Sequence, residues 1–141
     1  MDKTLIELPR LKHLDLLGTY EETFSSHQHV PKSIQQQLKQ DGIPPCYYAR
    51  TIYIYGTQTP RSETLDLYSE SLYLQGWHSV TSLSGSFYFL RGDNEELHFD
   101  RALEWAFFYD DIGFDYEEMS AKYDELISVR VDYVWPKQGD C

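Results

Sequence analysis

Residues 48–77 read YARTIYIYGTQTPRSETLDLYSESLYLQGW, and they predict a β-strand followed by an amphipathic α-helix. The first eight residues are rich in β-branched and aromatic side chains, which favour a pleated sheet. Successive side chains of a strand point to opposite faces, so Ile52 and Ile54 are predicted on one face and Tyr53 and Tyr55 on the other.

The helix is predicted over about residues 60–75. It starts at Pro60, because proline at the first helical position gives up no N–H that the helix needs. One apolar face then repeats at helical spacing (Leu65, Tyr68, Leu72). Gly76 supplies a left-handed end to the helix, and Trp77 is expected to fold back onto the last turn near Leu72.

More strands follow this helix. Residues 77–83 and 87–91 predict a hairpin with a turn at Ser84 and Gly85, and residues 96–100 and 126–135 predict two further strands. The sequence therefore predicts an α+β fold: an antiparallel sheet of about four to six strands, one main amphipathic helix, and shorter helices packed on it. The helices are expected mainly on one face.

The chain of 141 residues has the length of a single domain, which divides into three parts. Residues 1–45 form an N-terminal preface with a polar loop at 19–31 and a short helix at 33–42, capped by Ser33 and ended by Gly42. Residues 46–100 and 126–136 form the sheet core, and residues 101–125 form an insertion.

The net charge of −11 is concentrated in residues 93–125, which contain twelve acids and only two bases. Such a surface repels phosphate backbones, so we expect no direct binding of nucleic acid. It attracts basic protein surfaces or divalent cations, although an acidic surface that only maintains solubility explains the same composition. We expect the carboxylates to gather outward as one patch.

The insertion at 101–125 is both acidic and aromatic, with seven aromatic residues in 25 positions. A disordered loop does not carry so many rings, so this segment is predicted to fold over the domain, with residues 116–125 helical. Aromatic side chains anchor interfaces and charge selects the partner. The leading hypothesis is a non-catalytic protein that contacts a protein partner with a basic surface through this segment (Trp105, Tyr109, Asp110, Asp111, Tyr116, Glu117, Glu118).

Two alternatives stay open. The first is an acidic mimic of nucleic acid that occupies the basic groove of a DNA-binding enzyme. The second is a metal-dependent enzyme whose ligands would come from two histidines and three acids (His27, His29, Asp110, Asp111, Asp115). The sequence contains no nucleophile elbow, phosphate-binding glycine loop or Ser/His/Asp arrangement, so it predicts neither catalytic residues nor a cofactor.

The two cysteines, Cys46 and Cys141, lie far apart and form no metal-binding pair. No apolar run is long enough for a signal peptide or a membrane-spanning helix. We therefore expect a cytoplasmic protein with reduced thiols, although one disulfide is possible.

The tyrosines at 53, 55 and 88 raise a further possibility. An aromatic sheet face can stack on nucleobases. RNA-binding sheets are flanked by basic residues, however, and this chain has too few of them. We expect the face to be covered instead by the N-terminal preface or by the segment around 105–123.

Tyr68, Leu72, Gly76 and Trp77 form the pattern Y-x-x-x-L-x-x-x-G-W directly after the strand at 52–55. This arrangement resembles a loosely defined group of small bacterial domains, many of them lipoproteins or uncharacterised proteins, in which a strand, such a helix and a meander of strands follow one another. The resemblance covers roughly a third of the chain. It implies a fold and brings no assigned chemistry.

Overall fold

The computed structural model describes residues 14–28, 30–80 and 87–135. These residues form six strands and four helices, in the order β1 (Asp15–Ser25), α1 (Lys32–Gln40), β2 (Tyr47–Thr57), α2 (Arg61–Leu74), β3 (His78–Val80), β4 (Phe87–Arg91), β5 (Glu95–Arg101), α3 (Tyr109–Ile112), α4 (Tyr116–Lys122) and β6 (Glu125–Trp135).

The strands form one antiparallel sheet in the order β1-β2-β6-β5-β4-β3. The last strand in the chain, β6, therefore lies near the centre, between β2 and β5. Its sequence suits that place, because most of its side chains from Leu126 to Val134 are buried. The predicted α+β fold is confirmed.

Helix α2 covers one face of the sheet. Tyr68 and Leu72 are fully buried against Phe99, Ile127 and Val129, which belong to β5 and β6. We call this the helix face of the sheet. Leu65 packs at the edge of the cluster, as its spacing predicts.

The end of α2 confirms the predicted glycine cap. Gly76 has φ +91°, and its N–H donates to the carbonyl of Tyr73 at 3.1 Å. The N–H of Trp77 donates to the carbonyl of Leu72 at 3.1 Å, so the two bonds form a complete Schellman motif. Trp77 is thereby held in the core beside Leu72.

The opposite face carries a second buried cluster, formed by Ile52 and Ile54 of β2 with Phe108, Tyr109 and Phe114. We call this the insertion face, because the rings come from the insertion. Helices therefore cover both faces, and the prediction that they lie mainly on one was wrong. Alternating side chains make both faces of the central strands apolar, and each face needs a cover.

Strand β1 corrects the interpretation of residues 19–31 as a loop, since the strand continues to Ser25. Tyr20, Glu22 and Phe24 are half-buried on the insertion face, where Glu22 pairs across the strands with Arg50. The charged Glu22 at an inward position interrupts the apolar alternation by which a strand is recognised. The residue that balances its charge lies on another strand and cannot be identified from the local sequence. The sheet thus extends into the N-terminal preface.

Helix α1 confirms the short helix predicted at 33–42, although its N-cap is Pro31 and not Ser33. Gly42 has φ +69° and ends it as expected. The turn predicted at Ser84 and Gly85 lies outside the described residues.

The aromatic face predicted from Tyr53, Tyr55 and Tyr88 does not form as one surface. Tyr53 and Tyr55 lie in the cluster under α2, whereas Tyr88 stacks on His98 on the insertion face, with ring centroids 5.2 Å apart. The three rings do not share a surface: α2 covers the first two, and Leu14 of the preface packs against the same cluster, whereas the insertion lies on the opposite face.

Cys46 is 4% exposed and is disulfide-bonded, which differs from the expectation of reduced thiols. The other cysteine of the chain, Cys141, lies outside the described residues.

Candidate functional site

The insertion leaves the sheet at the end of β5 and returns at the start of β6. These strands are neighbours, and the N–H of Ala102 donates to the carbonyl of Leu126 at 2.9 Å, which closes the base of the insertion. A segment whose ends are adjacent has to fold back on itself. Its apolar rings are buried against the insertion face, which removes them from water.

Its aromatic residues divide into two groups. Phe108, Tyr109 and Phe114 are buried, with exposed fractions of 6–7%. Trp105 and Phe107 lie outside, with exposed fractions of 75% and 60%. The buried rings fix the segment on the sheet, whereas Trp105 and Phe107 remain largely accessible to solvent.

Short hydrogen bonds hold the segment in shape. Helix α3 ends at Gly113, which has φ +68°, and the N–H of Phe114 donates to the carbonyl of Tyr109 at 2.9 Å. The hydroxyl of Tyr109 donates to the carbonyl of Leu103, and burial raises the pKa of this phenol. The carboxylate of Asp115 caps α4 by accepting from the N–H of Glu118 at 3.2 Å.

Two glycines let the insertion approach the sheet closely. A Cβ at Gly56 of β2 would lie 2.6 Å from the ring of Tyr123, and one at Gly18 of β1 would lie 2.7 Å from Cδ1 of Ile112. The hydroxyl of Tyr123 also donates to the carboxylate of Asp15 at 2.8 Å. Ile112 of α3 and Tyr123, which directly follows α4, therefore pack against backbone that carries no side chain.

Between these elements the surface of the insertion forms an open groove of about 520 Å³, which we call the acidic groove. Its lining includes four exposed carboxylates (Glu104, Asp110, Asp115, Glu117) and five aromatic side chains (Trp105, Phe107, Tyr109, Phe114, Tyr116). The groove thus presents apolar contact area next to negative charge.

The structure brings most of the predicted contact residues to this groove. Five of them line it (Trp105, Tyr109, Asp110, Tyr116, Glu117). Asp111 and Glu118 are exposed on the same segment but do not line the groove. Glu104 and Phe107 also line the groove and were not among the predicted contact residues, although the same acidic and aromatic composition marked the segment that contains them.

The acids of the preceding hairpin do not belong to this surface. Glu95 forms an ion pair with Arg91 at 2.8 Å, and the carboxylate of Glu96 contacts Nε2 of His98 at 2.7 Å. The expected single patch over residues 93–125 is therefore too broad, because Glu95 is paired with Arg91 and Glu96 is bound to His98 within the sheet.

Of the metal-site candidates, Asp110 and Asp115 both line the acidic groove. His27 lines a separate open cleft of about 960 Å³ beside α1, and His29 lies outside the described residues. Within residues 14–28, 30–80 and 87–135, no group of three or more His, Cys, Asp or Glu side chains is arranged to hold a metal ion.

A second cleft lies on the insertion face, between the sheet and residues 103–109. Its volume is about 360 Å³, and we call it the arginine cleft. Arg130, Ser128 and His98 supply polar groups from β6 and β5, while Ile52 and Phe108 supply apolar walls.

Beside this cleft, the carboxylate of Asp132 is bound more closely by Arg50 than by Arg130. Asp132 is 2% exposed, and its carboxylate accepts two hydrogen bonds from Arg50, at 2.8 and 3.1 Å. Burial alone would lower the pKa of Arg50, but the bond to Asp132 offsets this effect and the pKa is raised. Nε of Arg130 lies 3.3 Å from the same carboxylate, without hydrogen-bond geometry.

No protein-family model, curated protein or solved structure matches this chain. The resemblance to small bacterial domains therefore stays a prediction. Among the described residues, no helix is long and apolar enough to cross a membrane.

Proposed function

We propose that this protein is a non-catalytic binding protein whose acidic groove receives a basic segment of a protein partner. The observation that carries the proposal is the pairing of two exposed rings, Trp105 and Phe107, with four carboxylates on a segment held rigidly from below. Exposed rings that lie together and are rimmed by charged side chains are typical of an interaction site.

The groove offers a basic partner two favourable interactions. Its carboxylates pair with Lys or Arg, and the faces of Trp105 and Phe107 attract the same cations through their ring quadrupoles. Arginine suits both, since its planar guanidinium stacks on rings and pairs with carboxylates. The net charge of −11 also steers a basic partner toward the protein from a distance.

Preorganisation supports the same function. Phe108, Tyr109 and Phe114 are buried beneath the groove, and the hydroxyl of Tyr109 is bonded to the backbone that carries Trp105 and its neighbours. A surface that is already ordered loses little conformational entropy on binding, so more of the contact energy appears as affinity.

The test uses a peptide of alternating arginine and leucine as the probe, followed by calorimetry and NMR. Trp105→Ala is expected to weaken binding about tenfold or more, as for an interface anchor. Tyr73→Ala is the matched control, because Tyr73 is 74% exposed on α2 at the other face of the sheet. Equal losses in the two variants would contradict the proposal.

Charge is tested separately. Asp110→Asn with Glu117→Gln removes two groove charges, and Glu63→Gln with Glu70→Gln removes two exposed charges from α2. The groove variant is expected to lose peptide affinity and most of its salt dependence, while the α2 variant keeps both. A peptide of alternating glutamate and leucine should not bind, and binding of equal strength would overturn the proposal.

The nucleic-acid mimic remains the alternative. It requires that the protein compete with duplex DNA for a basic nuclease. Binding to the nuclease should then depend steeply on salt and should weaken when charges at the groove are removed. The ion pair of Glu95 with Arg91 and the contact of Glu96 with His98 leave fewer free carboxylates for a phosphate-like row, which favours contact with a protein. A metal-dependent enzyme is the third hypothesis, and substoichiometric metal in chelator-free protein would end it.

The proposed location is the cytoplasm. The disulfide at Cys46 bears on it, because disulfides persist mainly in oxidising compartments. Because Cys46 is 4% exposed, the test traps the thiol state of cells with acid and alkylates the unfolded protein: a modified Cys46 supports the cytoplasm, and one that is modified only after reduction opposes it.

A further inference from the structure

The arginine cleft has the form of a ligand site that lies beside the acidic groove and shares Ala106 and Tyr109 with it. Its volume of about 360 Å³ lies at the lower end of the range for small-molecule pockets, roughly 300–1,000 Å³. It is built mainly on strands, with Ile52, Ser128 and Arg130 on its floor and residues 103–109 as its roof.

The floor presents a cation whose charge is only partly balanced. Asp132 is the nearest carboxylate to Arg130, and both of its oxygens already accept from Arg50. Nε of Arg130 is buried and has no hydrogen-bond partner among the described residues. Arg130 lines the cleft with a side chain that is 35% exposed, so the outer edge of its guanidinium offers a charged donor to an anionic oxygen that enters the cleft.

The walls favour an apolar body next to that anion. Ile52 and Phe108 are at least nine-tenths buried and face the cleft, and Leu103 forms its outer lip with an exposed fraction of 69%. The bond from the hydroxyl of Tyr109 to the carbonyl of Leu103 keeps the lip in place. The ring of Phe108 provides a flat wall on which an aromatic ligand can stack.

Charge at the mouth restricts the ligand to one negative group. Asp100 and Arg101 lie together there, and the carboxylate of Asp100 accepts from the N–H of Arg101 at 2.8 Å. A dianion such as a phosphate ester would meet this carboxylate as well as the acidic surface of the chain. We therefore infer that the arginine cleft binds a small aromatic or aliphatic monocarboxylic acid, with its carboxylate on Arg130.

The experiment titrates the full chain with benzoate and follows backbone and side-chain NMR signals. Signals of Ile52, Ala106 and Ser128 are expected to shift and saturate at millimolar concentration or below. Benzamide and benzylamine have the same ring with a neutral or a positive group, and neither should saturate. Equal binding of benzamide, or shifts confined to the acidic groove, would overturn the inference.

Variants test the two parts of the cleft. Arg130→Gln is expected to weaken benzoate binding about tenfold or more, because it removes a charged hydrogen-bond donor. Arg61→Gln makes the same charge change on α2 and should leave binding unchanged. Equal effects of both variants would mean that only net charge matters and would contradict a site at Arg130.

Ala106→Leu keeps the charge and fills the cleft from its roof. It is expected to abolish benzoate shifts at Ser128. Because Ala106 also lines the acidic groove, peptide binding is measured in the Arg130→Gln variant instead, where it should persist. Retained benzoate binding in this variant, with the protein shown to be folded by its NMR spectrum, would place the ligand elsewhere and overturn the inference.

Discussion

At the scale of single residues, Gly56 decides how closely the insertion lies on the sheet. Gly56→Ala places a methyl group where the ring of Tyr123 now lies, at 2.6 Å. The ring has to move, which also strains its hydrogen bond to Asp15. The expected loss is roughly 1–3 kcal/mol of unfolding free energy, measured by denaturant titration. Adding Tyr123→Ala should remove most of the penalty of the alanine, and additive losses would contradict a steric cause.

Asp132 is the second residue with a large expected effect. Asp132→Asn leaves Arg50 and Arg130 without their shared carboxylate, and we expect a loss of about 3 kcal/mol in unfolding free energy. Glu22→Gln is the matched control on the same arginine, since Glu22 lies 3.8 Å from Arg50 and is more exposed. It should cost less than about 1 kcal/mol. Similar losses for the two variants would show that burial of the pair does not matter.

At the scale of elements, the end of α2 is set by backbone conformation. Gly76→Ala forces a side chain into a left-handed φ of +91°, at an expected cost of about 1–2 kcal/mol in global stability. Gly42→Ala imposes a similar strain at φ +69°, but α1 has no buried residue. That variant should lose α1 helicity and little global stability, as measured by circular dichroism and denaturant titration. Equal losses of global stability would contradict this distinction.

Elements whose signals are local could be predicted from the sequence. The helix at 61–74 and the strands β2, β5 and β6 follow from spacing, caps and alternation within each segment. Strand β1 was missed because Glu22 occupies an inward position, where Arg50 of β2 balances its charge. The distribution of helices over both faces was missed because a periodic pattern shows that a face is buried and does not show what covers it.

At the scale of the whole molecule, buried tyrosines link stability to pH. Burial raises the pKa of Tyr68 far above its ordinary value of 10.0, and burial also raises the pKa of Tyr55 beside it. The folded state keeps these phenols neutral, whereas the unfolded chain ionises them near pH 10. Their contribution to stability is therefore complete below about pH 10 and is lost as the pH rises further.

The slope of this loss can be measured. Above about pH 10, Tyr68 alone should lower the unfolding free energy by about 1.4 kcal/mol per pH unit. Denaturant titrations at several alkaline pH values give the slope, and phenolate absorbance gives the ionisation. Tyr68→Phe should reduce the slope by that amount, while Tyr73→Phe, at a position 74% exposed, should not change it. An unchanged slope in Tyr68→Phe would contradict the burial argument.

The sequence by itself determined the α+β class, the main helix with its glycine end, and a segment at 101–125 with too many rings to be disordered. These follow from local rules, because spacing and backbone preference act within a few residues. Only the tertiary structure decided that Trp105 and Phe107 are exposed while Phe108 is buried. It also decided that Arg50, and not Arg130, donates both hydrogen bonds to Asp132. Those outcomes depend on which strands are neighbours and in what register, and the pairing of distant segments is a property of the whole chain.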